Sequence, residues 1–426
     1  MYVKLRPGPH GPGPELVARH QRARLYHAIV EIVLARGYAA TSIKAVCELA
    51  GVSRRTFYDL FGIDQVPPKQ ACFLAAHEHV VACAADRVSA AYRGEPDPPR
   101  RLQRAFEQFT HELAARPQFA RFALLEPQGG APSARLRIDC SRRPFEQMIG
   151  ASFQEGPGGV TLPALVVKAI VCGVERIARQ RLLADTVQDL PGLAEELLSW
   201  ALSYRSPAIR ELKAARPRGG AATGAGRAHS HADSDRVRML RRAARIAAAT
   251  GYEQLSPARI ASAAGVHEER FDELFASTEQ CFLESLDRMA LEALVAVAGA
   301  RPGDATGVGL HGRVVALMRH LAADPCLVQV AFQEIFALGY PGVERRDRSL
   351  GRFTTFLTLS RPTAPPAGLV AEATVGAIWG IVDHYAARGA ATRLPMVAGH
   401  ATYMALAPVL GAHAAVEIIR GADSDG

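Results

Sequence analysis

Apolar residues along the chain recur with the period of an α-helix. Ahead of Gly37 they fall at i, i+4, i+7 and i+8, in the positions Leu25, Ile29, Ile32 and Val33. Ahead of Gly251 a similar face is formed by Leu240, Ala244 and Ala247. Because this spacing places side chains on one face and glycine commonly ends a helix, each segment is predicted to be an amphipathic helix.

Several later segments are apolar, of helix length and without the alternation typical of β-strands: 165–183, 193–204, 371–387 and 397–409. The chain is therefore predicted to be all-α. No apolar run approaches the ~20 residues that cross a bilayer, since even 165–174 is interrupted by Lys168. The N-terminal stretch lacks the apolar core of a signal peptide, so a cytoplasmic location is expected.

The chain contains an internal repeat. Residues 37–61 align without gaps with residues 251–275, and both segments carry Gly-Tyr, Ala-Gly-Val and Phe-x-x-x-Phe. Later matches continue at slightly smaller offsets, as loop insertions would produce. Residues 214–235 are rich in Gly, Ala and Ser without apolar periodicity, which is typical of a linker. We therefore predict two divergent tandem copies of one fold of about 190 residues.

A helix-turn-helix pattern follows the first helix. Thr41 and Ser42 can cap a short helix over 43–49, Ala50-Gly51-Val52 makes a tight turn, and Ser53 can cap a second helix over 54–61. On the second helix the apolar residues at i, i+3 and i+4 are predicted to pack inward: Phe57, Leu60 and Phe61. The opposite face then carries the groups suited to base edges and phosphates: Arg54, Arg55 and Tyr58.

The segments GYAATSI from Gly37, AGVSRRTFY from Ala50 and PKQACF from Pro68 resemble the DNA-binding domain of the tetracycline-repressor (TetR/AcrR) family of transcriptional regulators. The resemblance implies phosphate contacts at Thr41 or Ser42, Tyr58 and Lys69. It implies base-reading positions at Lys44, Arg54, Arg55 and Thr56, on a helix capped by Ser53. Lys69 follows Phe61 by eight residues, farther than in the family, because residues 62–66 form an apparent insertion.

The resemblance divides each copy into a DNA-binding domain and a helical regulatory domain. The predicted boundaries are 20–75 and 76–213 for the first copy, 214–235 for the linker, and 236–284 and 285–420 for the second copy. In the family the last two long helices form a four-helix bundle with a second subunit. A tandem chain would supply both partners covalently, which predicts a pseudo-dimer within one chain. Two such chains could also associate on DNA.

The second copy keeps the framework of the motif and replaces its contacting surface. At the matching positions stand Leu255, Ala258, Glu268, Glu269, Asp272 and Thr278. Carboxylates facing a polyanion are repulsive where affinity comes mainly from phosphate neutralisation. The prediction is that this second helix-turn-helix does not bind DNA and that operator DNA is read through the first copy only.

Aromatic side chains in the regulatory segments are candidates for an apolar effector pocket. In the first copy they are Phe106, Phe109, Phe119, Phe122 and Phe145. In the second copy they are Phe332, Phe336, Tyr340, Phe353, Phe356, Trp379 and Tyr385. Of these residues, six are selected as the predicted lining of the pocket: Phe106, Phe109, Phe122, Phe332, Phe336 and Trp379. For any one of them, the alternative is that it simply fills a helical core. The expected partners are operator DNA and a small apolar effector. No membrane association is expected.

Composition and charge fit this interpretation. The net charge is +8, and residues 1–205 hold 26 Lys and Arg against 20 Asp and Glu, whereas residues 236–426 hold 19 of each. A basic N-terminal arm with Lys4 and Arg6 is a further candidate for DNA contact. The seven cysteines are widely spread without a C-x-x-C pair, as expected for buried thiols in a reducing compartment.

Other functions have little support in the sequence. Metal-ligand spacing, a phosphate-binding glycine loop and a nucleophile elbow are missing, so no cofactor or metal is expected and an enzyme is the least favoured class. Two hypotheses remain. One is a ligand-responsive transcriptional regulator, expected to be a repressor. The other is a small-molecule sensor or protein-interaction module without specific DNA binding.

Overall fold

The computed structural model describes residues 13–62, 66–126, 132–155, 158–212, 234–299, 307–359 and 368–424, and every regular element within them is helical. The all-α prediction is thus confirmed. The first half contains α1 (Pro14–Arg36), α2 (Ile43–Ala50), α3 (Arg54–Phe61), α4 (Pro68–Gly94), α5 (Pro98–Ala115), α6 (Pro117–Leu124), α7 (Pro132–Ser141), α8 (Arg143–Glu155), α9 (Ala164–Leu183) and α10 (Ala194–Leu202).

The second half contains α11 (Asp235–Thr250), α12 (Pro257–Ala264), α13 (Glu269–Leu274), α14 (Thr278–Ala298), α15 (Gly307–Ala323), α16 (Cys326–Phe332), α17 (Tyr340–Leu359), α18 (Gly368–Ala386), α19 (Ala398–Leu410) and α20 (Ala412–Ser424). Short 3-10 helices lie at Val187–Leu193, Pro207–Glu211, Tyr252–Gln254, Glu334–Leu338 and Ala391–Val397. Of the predicted linker, residues 214–233 lie outside the described residues, as do Lys4 and Arg6.

Local signals explain where the helices of the first helix-turn-helix begin and end. The hydroxyl oxygen of Ser42 accepts a hydrogen bond from the Ala45 amide at 3.2 Å and starts α2. Gly51 ends α2 with φ +59°, a left-handed conformation that glycine adopts without strain. Ser53 then starts α3, and its hydroxyl accepts from the Thr56 amide at 3.0 Å. The predicted short helices are therefore confirmed.

The second helix-turn-helix repeats this geometry with a weaker last element. Ser256 caps α12, and Gly265 ends it with φ +71°. Helix α13 has six residues where α3 has eight, and no side chain caps its first turn. His267 stands at the position that matches Ser53, and an imidazole is not among the preferred capping groups. The loss of the cap accompanies the shorter helix.

Three large apolar cores and a small cluster of Val88, Tyr92 and Ala105 organise the described part of the chain. Helices α1–α3 and the first turns of α4, together called the first head, enclose one core, which includes Leu25, Ile29 and Phe57. Helices α11–α13 and the first turns of α14, called the second head, enclose another core around Phe271. A much larger core runs continuously through the regulatory parts of both halves. The predicted boundary between residues 75 and 76 falls inside α4, so a single continuous helix connects the first head to its regulatory part.

The two halves meet along α9 and α18, which approach closely because small residues line their contact. A Cβ atom added at Gly376 would lie 2.6 Å from the Cβ atom of Arg176, and one added at Gly380 would collide with Cys172. At the offset of 204 that relates the Leu-Pro pairs at 190 and 394, Gly376 corresponds to Cys172 and Gly380 corresponds to Arg176. The two contacts are therefore reciprocal, because each pairs one position of the first half with the counterpart of the other position in the second half. Reciprocity of this kind is typical of a twofold-symmetric interface.

Buried polar contacts reinforce the same interface. The Trp200 indole donates a hydrogen bond to the Thr374 hydroxyl at 3.2 Å, and the Tyr204 hydroxyl donates to the Met404 carbonyl at 3.0 Å. The hydroxyl of Tyr403 donates in return to the Tyr204 carbonyl at 2.8 Å. Each of these donors is satisfied across the interface, which removes the cost of burying it.

No single described helix is long and apolar enough to cross a membrane, although the bent pair formed by Gly307–Ala323 and Cys326–Leu338 would meet the length and composition criteria jointly.

Candidate nucleic-acid interface and effector cavity

The exposed face of α3 carries the predicted reading residues. Phe57 and Phe61 are buried, with their ring centroids 5.2 Å apart, and they fix the rotation of the helix. Arg54 and Arg55 are exposed on the opposite side, and Tyr58 is 49% exposed. Two guanidinium groups and one phenol thus share a surface on a helix that begins beside the α2–α3 turn. That geometry suits contact with phosphates and base edges in a DNA groove.

The hydroxyl residues have structural roles that also place them. Ser42 and Ser53 are exposed and cap α2 and α3, and the Ser53 and Thr56 hydroxyl oxygens lie 2.8 Å apart. Thr41 is buried, and its hydroxyl donates to the Gly37 carbonyl at 2.9 Å. Of the two alternatives for a phosphate contact, Ser42 is therefore the one with an exposed side chain.

The two lysines of the predicted set differ in their surroundings. Lys44 is exposed on α2, 3.9 Å from Glu48. Lys69 lies at the start of α4 and its Nζ donates to the carbonyls of Tyr38 and Thr41 at 3.3 and 3.1 Å. Burial lowers the pKa of this ammonium group. Lys69 thus reaches the loop before α2 despite the insertion, of which residues 63–65 lie outside the described residues.

On the second head the corresponding surface has the opposite charge. Glu268, Glu269 and Asp272 are all exposed. The two arginines of this region already have partners, because Arg270 pairs with Asp235 at 3.0 Å and with Glu273, and Arg259 donates to the Gln254 carbonyl at 2.7 Å. The structure therefore brings carboxylates to the face that carries arginines on the first head.

A cavity of about 400 Å³ lies between the regulatory parts of the two halves. Five of the six selected aromatic residues line it together, namely Phe106, Phe109, Phe332, Phe336 and Trp379. Phe119 and Phe145 line it as well. Because residues of both halves form its wall, the cavity exists only in the assembled chain. Its volume falls within the range of small-molecule sites.

Other aromatic candidates are placed elsewhere. The prediction for Phe122 is wrong, since its fully buried ring packs 5.1 Å from Phe73 in the core of the first head. The edge-on rings of Phe353 and Trp379 pack with their centroids 4.9 Å apart. Neither Tyr340 nor Tyr385 lines the cavity, and the side chain of Phe356 lies outside the described residues. The helical period could not separate these positions because all of them satisfy it.

The cavity wall is not purely apolar, which corrects the predicted character of the pocket. The acidic residues in the wall are Glu112, Glu126, Asp139, Glu175 and Asp383. The basic residues in the wall include Arg87, Arg116, Arg142, Arg176, Arg179 and Arg346. Most of these charges are paired, as in the contact of Arg142 with Glu175 at 2.9 Å. Burial raises the pKa of the Glu126 carboxyl to about 7.

The cavity reaches the DNA-binding head through α1 and α4. Tyr26 on α1 lines the cavity, and its ring lies 6.3 Å from that of Phe61 on α3 and 5.3 Å from that of His79 on α4. The middle of α4 lines the same wall from His77 to Val88, while its first turns pack in the head. A change in the cavity can therefore reach the recognition helix through direct contacts.

The comparison with known families bears on the first head. Residues 25–63 match the family model described as bacterial regulatory proteins, tetR family. The match covers the last part of α1 together with α2 and α3. No curated protein sequence matches the chain.

Three solved structures are similar to part of the chain at low identity. The fatty acid degradation regulator FadR from Bacillus halodurans shows 18% identity and a TM-score of 0.39, over 45% of this chain and 96% of its own. FadR from Bacillus subtilis, solved in complex with stearoyl-CoA, shows 17% identity and a TM-score of 0.38, over 43% of this chain and 98% of its own. A TetR-like transcriptional regulator from Rhodococcus sp. RHA1 shows 20% identity and a TM-score of 0.33, over 45% of this chain and 99% of its own.

Two residues that line the cavity, Tyr26 and Arg176, were not among the predicted site residues. Tyr26 looked like one more apolar position of α1, and Arg176 looked like a charge on an otherwise apolar helix. The only sequence signal for Arg176 was its place within the run of residues 165–183, where a helix buried on most sides leaves little room for an unpaired cation.

Proposed function

We propose that this chain is a ligand-responsive DNA-binding transcriptional regulator that reads operator DNA through its first helix-turn-helix. The observation that carries the proposal is the exposed face of α3, where Arg54, Arg55 and Tyr58 are held outward by buried Phe57 and Phe61. The match of residues 25–63 to the tetR family supports the same role for this segment.

In the proposed complex α3 enters the major groove and contacts base edges through Arg54 and Arg55. Ser42 and Tyr58 contact backbone phosphates, and Lys44 adds a cation on the same side of the head. Thr41 and Lys69 shape the loop before α2, because both are hydrogen-bonded to carbonyls of that loop or of the α1 terminus. Affinity then falls steeply with salt, since cations replace condensed counterions on the DNA.

We propose further that the second helix-turn-helix has a structural role only. Its face presents Glu268, Glu269 and Asp272 to solvent, and phosphates would be repelled at close range. Burial of Phe271 and Phe275 explains why the fold of this head is retained although its surface has changed.

The tandem arrangement is likewise a proposal: two copies of one fold form a pseudo-dimer in a single chain. It is supported by the reciprocal contacts of Gly376 with Arg176 and of Gly380 with Cys172. Such a unit has one competent reading head, so a single chain recognises one half-site and two chains are needed for an inverted repeat.

Regulation would act through the wall that the cavity shares with α1 and α4. A ligand that favours one arrangement of Tyr26 and α4 shifts the position of Phe61 and therefore of α3. We propose that the chain is a repressor, in which the ligand-bound arrangement has the lower operator affinity.

The test is selection of binding sites from random duplex DNA by the full chain, with Arg54→Glu/Arg55→Glu in parallel. The matched control is Glu268→Ala/Glu269→Ala, which changes the equivalent positions of the second head. We expect enrichment by the wild type and by the control, and none by the arginine variant. Recovered sites that form an inverted repeat indicate two chains, and a lone half-site indicates one.

Salt dependence separates specific recognition from charge attraction. For the selected site we expect log K to fall linearly with log salt, with a slope near −0.9 for each phosphate neutralised. If the wild type enriches no sequence over Arg54→Glu/Arg55→Glu, the regulator function is refuted. The chain would then be a sensor or protein-interaction module without specific DNA binding.

A further inference from the structure

We infer that the cavity binds an amphipathic anion, and that Arg176 anchors its carboxylate or phosphate group beside the apolar wall at Trp379. The regulatory meaning of this inference rests on the proposed function, whereas binding itself does not. Both residues line the cavity, one on α9 of the first half and the other on α18 of the second.

Arg176 is a buried cation without an ion-pair partner among the described residues. Only 2% of the residue is exposed. Its Nη2 donates to the amide oxygen of Gln180 at 2.8 Å, when that amide is oriented so that its nitrogen faces the carboxylate of Glu372 at 3.1 and 3.2 Å. Its Nε is buried and has no hydrogen-bond partner. Buried polar atoms are usually hydrogen-bonded in native proteins, and a bound ion or ligand is one way to satisfy this one.

The Asp347 carboxylate, whose charge acts on Arg176, is hydrogen-bonded to two other arginines. Asp347 accepts from Arg179 at 3.1 Å and from two nitrogens of Arg346 at 2.9 and 3.1 Å, so both of its oxygens are used. Burial alone would raise the pKa of the Asp347 carboxyl, but Arg179, Arg346 and Arg176 together hold that pKa well below its ordinary value. Three guanidinium groups thus surround one carboxylate at this end of the cavity.

The chain is shaped to hold Arg176 in this position. Its stem lies against α18 where residue 376 is glycine, and a Cβ atom there would come within 2.9 Å of the arginine Cδ. A buried guanidinium that only filled space would be replaced at little cost by an apolar side chain. Placement beside a cavity, where three guanidinium groups share the Asp347 carboxylate, instead indicates that a bound anion supplies the missing negative charge.

The rest of the wall defines the other end of the ligand. The Trp379 ring lies 5.7 Å from that of Phe332, and the Phe109 ring lies 5.7 Å from that of Phe145. These aromatic pairs offer an apolar surface to a hydrocarbon body, while Arg176 selects for a negative charge at one end. A neutral analogue of equal size would gain the apolar contacts and leave the guanidinium uncompensated.

The experiment measures binding of octanoate, octyl phosphate and 1-octanol to the full chain by isothermal titration calorimetry, without DNA. We expect at least one anion to bind the wild type more tightly than 1-octanol, by about 10- to 100-fold, the range for hydrogen bonds to charged groups. The comparison of octanoate with octyl phosphate identifies the preferred head group.

Variants assign the preference to Arg176. In Arg176→Met the preference for the anion should disappear while 1-octanol binding persists, and Arg176→Lys should restore part of it. The matched control is Arg116→Met, which removes a cavity-lining arginine that is paired with Glu112 and should keep the preference. Thermal unfolding of each variant verifies that the chain is folded.

The inference is overturned if the anions bind no tighter than 1-octanol, if none of the three binds, or if folded Arg176→Met keeps the preference. Repeating the titration on chain bound to a selected operator separates the two proposals. Anion binding that depends on Arg176 without any change in operator affinity would support the anion site and refute the proposed ligand response.

Discussion

The two helix-turn-helix heads have the same internal framework and opposite surfaces. The paired phenylalanine rings lie 5.2 Å apart in each head, at Phe57–Phe61 and at Phe271–Phe275. The glycines that end α2 and α12 share a left-handed conformation. On the exposed face, however, Arg54 and Arg55 are matched by Glu268 and Glu269. Burial therefore accounts for the framework that the two heads share, whereas their exposed faces differ in the sign of their charge.

The difference shows which residues carry which property. Apolar residues such as Phe57 and Phe271 determine that a head forms, because their burial contributes several kcal/mol in either copy. The exposed residues contribute little to folding, since substitutions on the surface usually change stability by less than about 0.5 kcal/mol. A head can thus remain folded when the charge of its exposed face changes.

The largest expected effect comes from removing the shared framework. Phe57→Ala and Phe271→Ala should each destabilise their own head by about 3–5 kcal/mol, because both rings are fully buried. Only Phe57→Ala should abolish operator binding. Hydrogen exchange of each head and fluorescence anisotropy with operator DNA measure the two effects. Loss of DNA binding in Phe271→Ala, with the first head still protected, would contradict the assignment of reading to the first head alone.

The next prediction compares α4 with α14, where buried His77 is matched by buried Leu286. Burial lowers the pKa of His77 to about 4 from its ordinary value near 6.5. Between these values the unfolded chain binds a proton that the folded chain does not, so folding stability falls as the pH falls. Over that window His77 should cost about 3 kcal/mol of unfolding free energy.

His77→Leu copies the second half and should remove this acid sensitivity. The measurement is the difference in unfolding free energy between wild type and variant from pH 7.5 to pH 4, which cancels the titration of other groups. A difference that stays constant with pH would mean that the pKa of His77 is the same in the folded and the unfolded chain.

A smaller effect is expected from the helix caps. Ser53→Ala removes the hydrogen bond to the Thr56 amide and should destabilise the first head by about 1 kcal/mol. His267→Ser introduces the equivalent hydroxyl before α13 and should stabilise the second head by up to about 1 kcal/mol. Local hydrogen exchange in α3 and α13 follows both changes. Equal protection of α13 in wild type and His267→Ser would show that its shortness has another cause.

The smallest effect is expected from the acidic face itself. Glu268→Ala/Glu269→Ala should leave operator affinity within about twofold of wild type, or raise it slightly, because long-range repulsion is screened by salt. Anisotropy titrations at two salt concentrations provide the measurement. Weaker binding by this variant would mean that the carboxylates take part in operator recognition.

Much of the first head followed from sequence alone. The apolar period, the glycines at 37 and 51 and the serines at 42 and 53 predicted α1, α2 and α3 to within about a residue at the motif, because caps and turns are local interactions. The outward direction of Arg54 and Arg55 followed from the same period. The similarity of residues 37–61 to residues 251–275 was visible because the buried positions of both segments hold similar apolar residues.

The cavity and its chemistry were decided by tertiary structure. Aromatic residues at helical spacing satisfied the pattern whether they line the cavity, as Phe106 does, or fill the core of a head, as Phe122 does. Arg176 meets Trp379 only after two helices separated by about 200 residues of chain come together. The apolar period indicates which side of a helix is buried. Packing between distant segments decides which neighbour buries that side and whether a charged residue has a partner there.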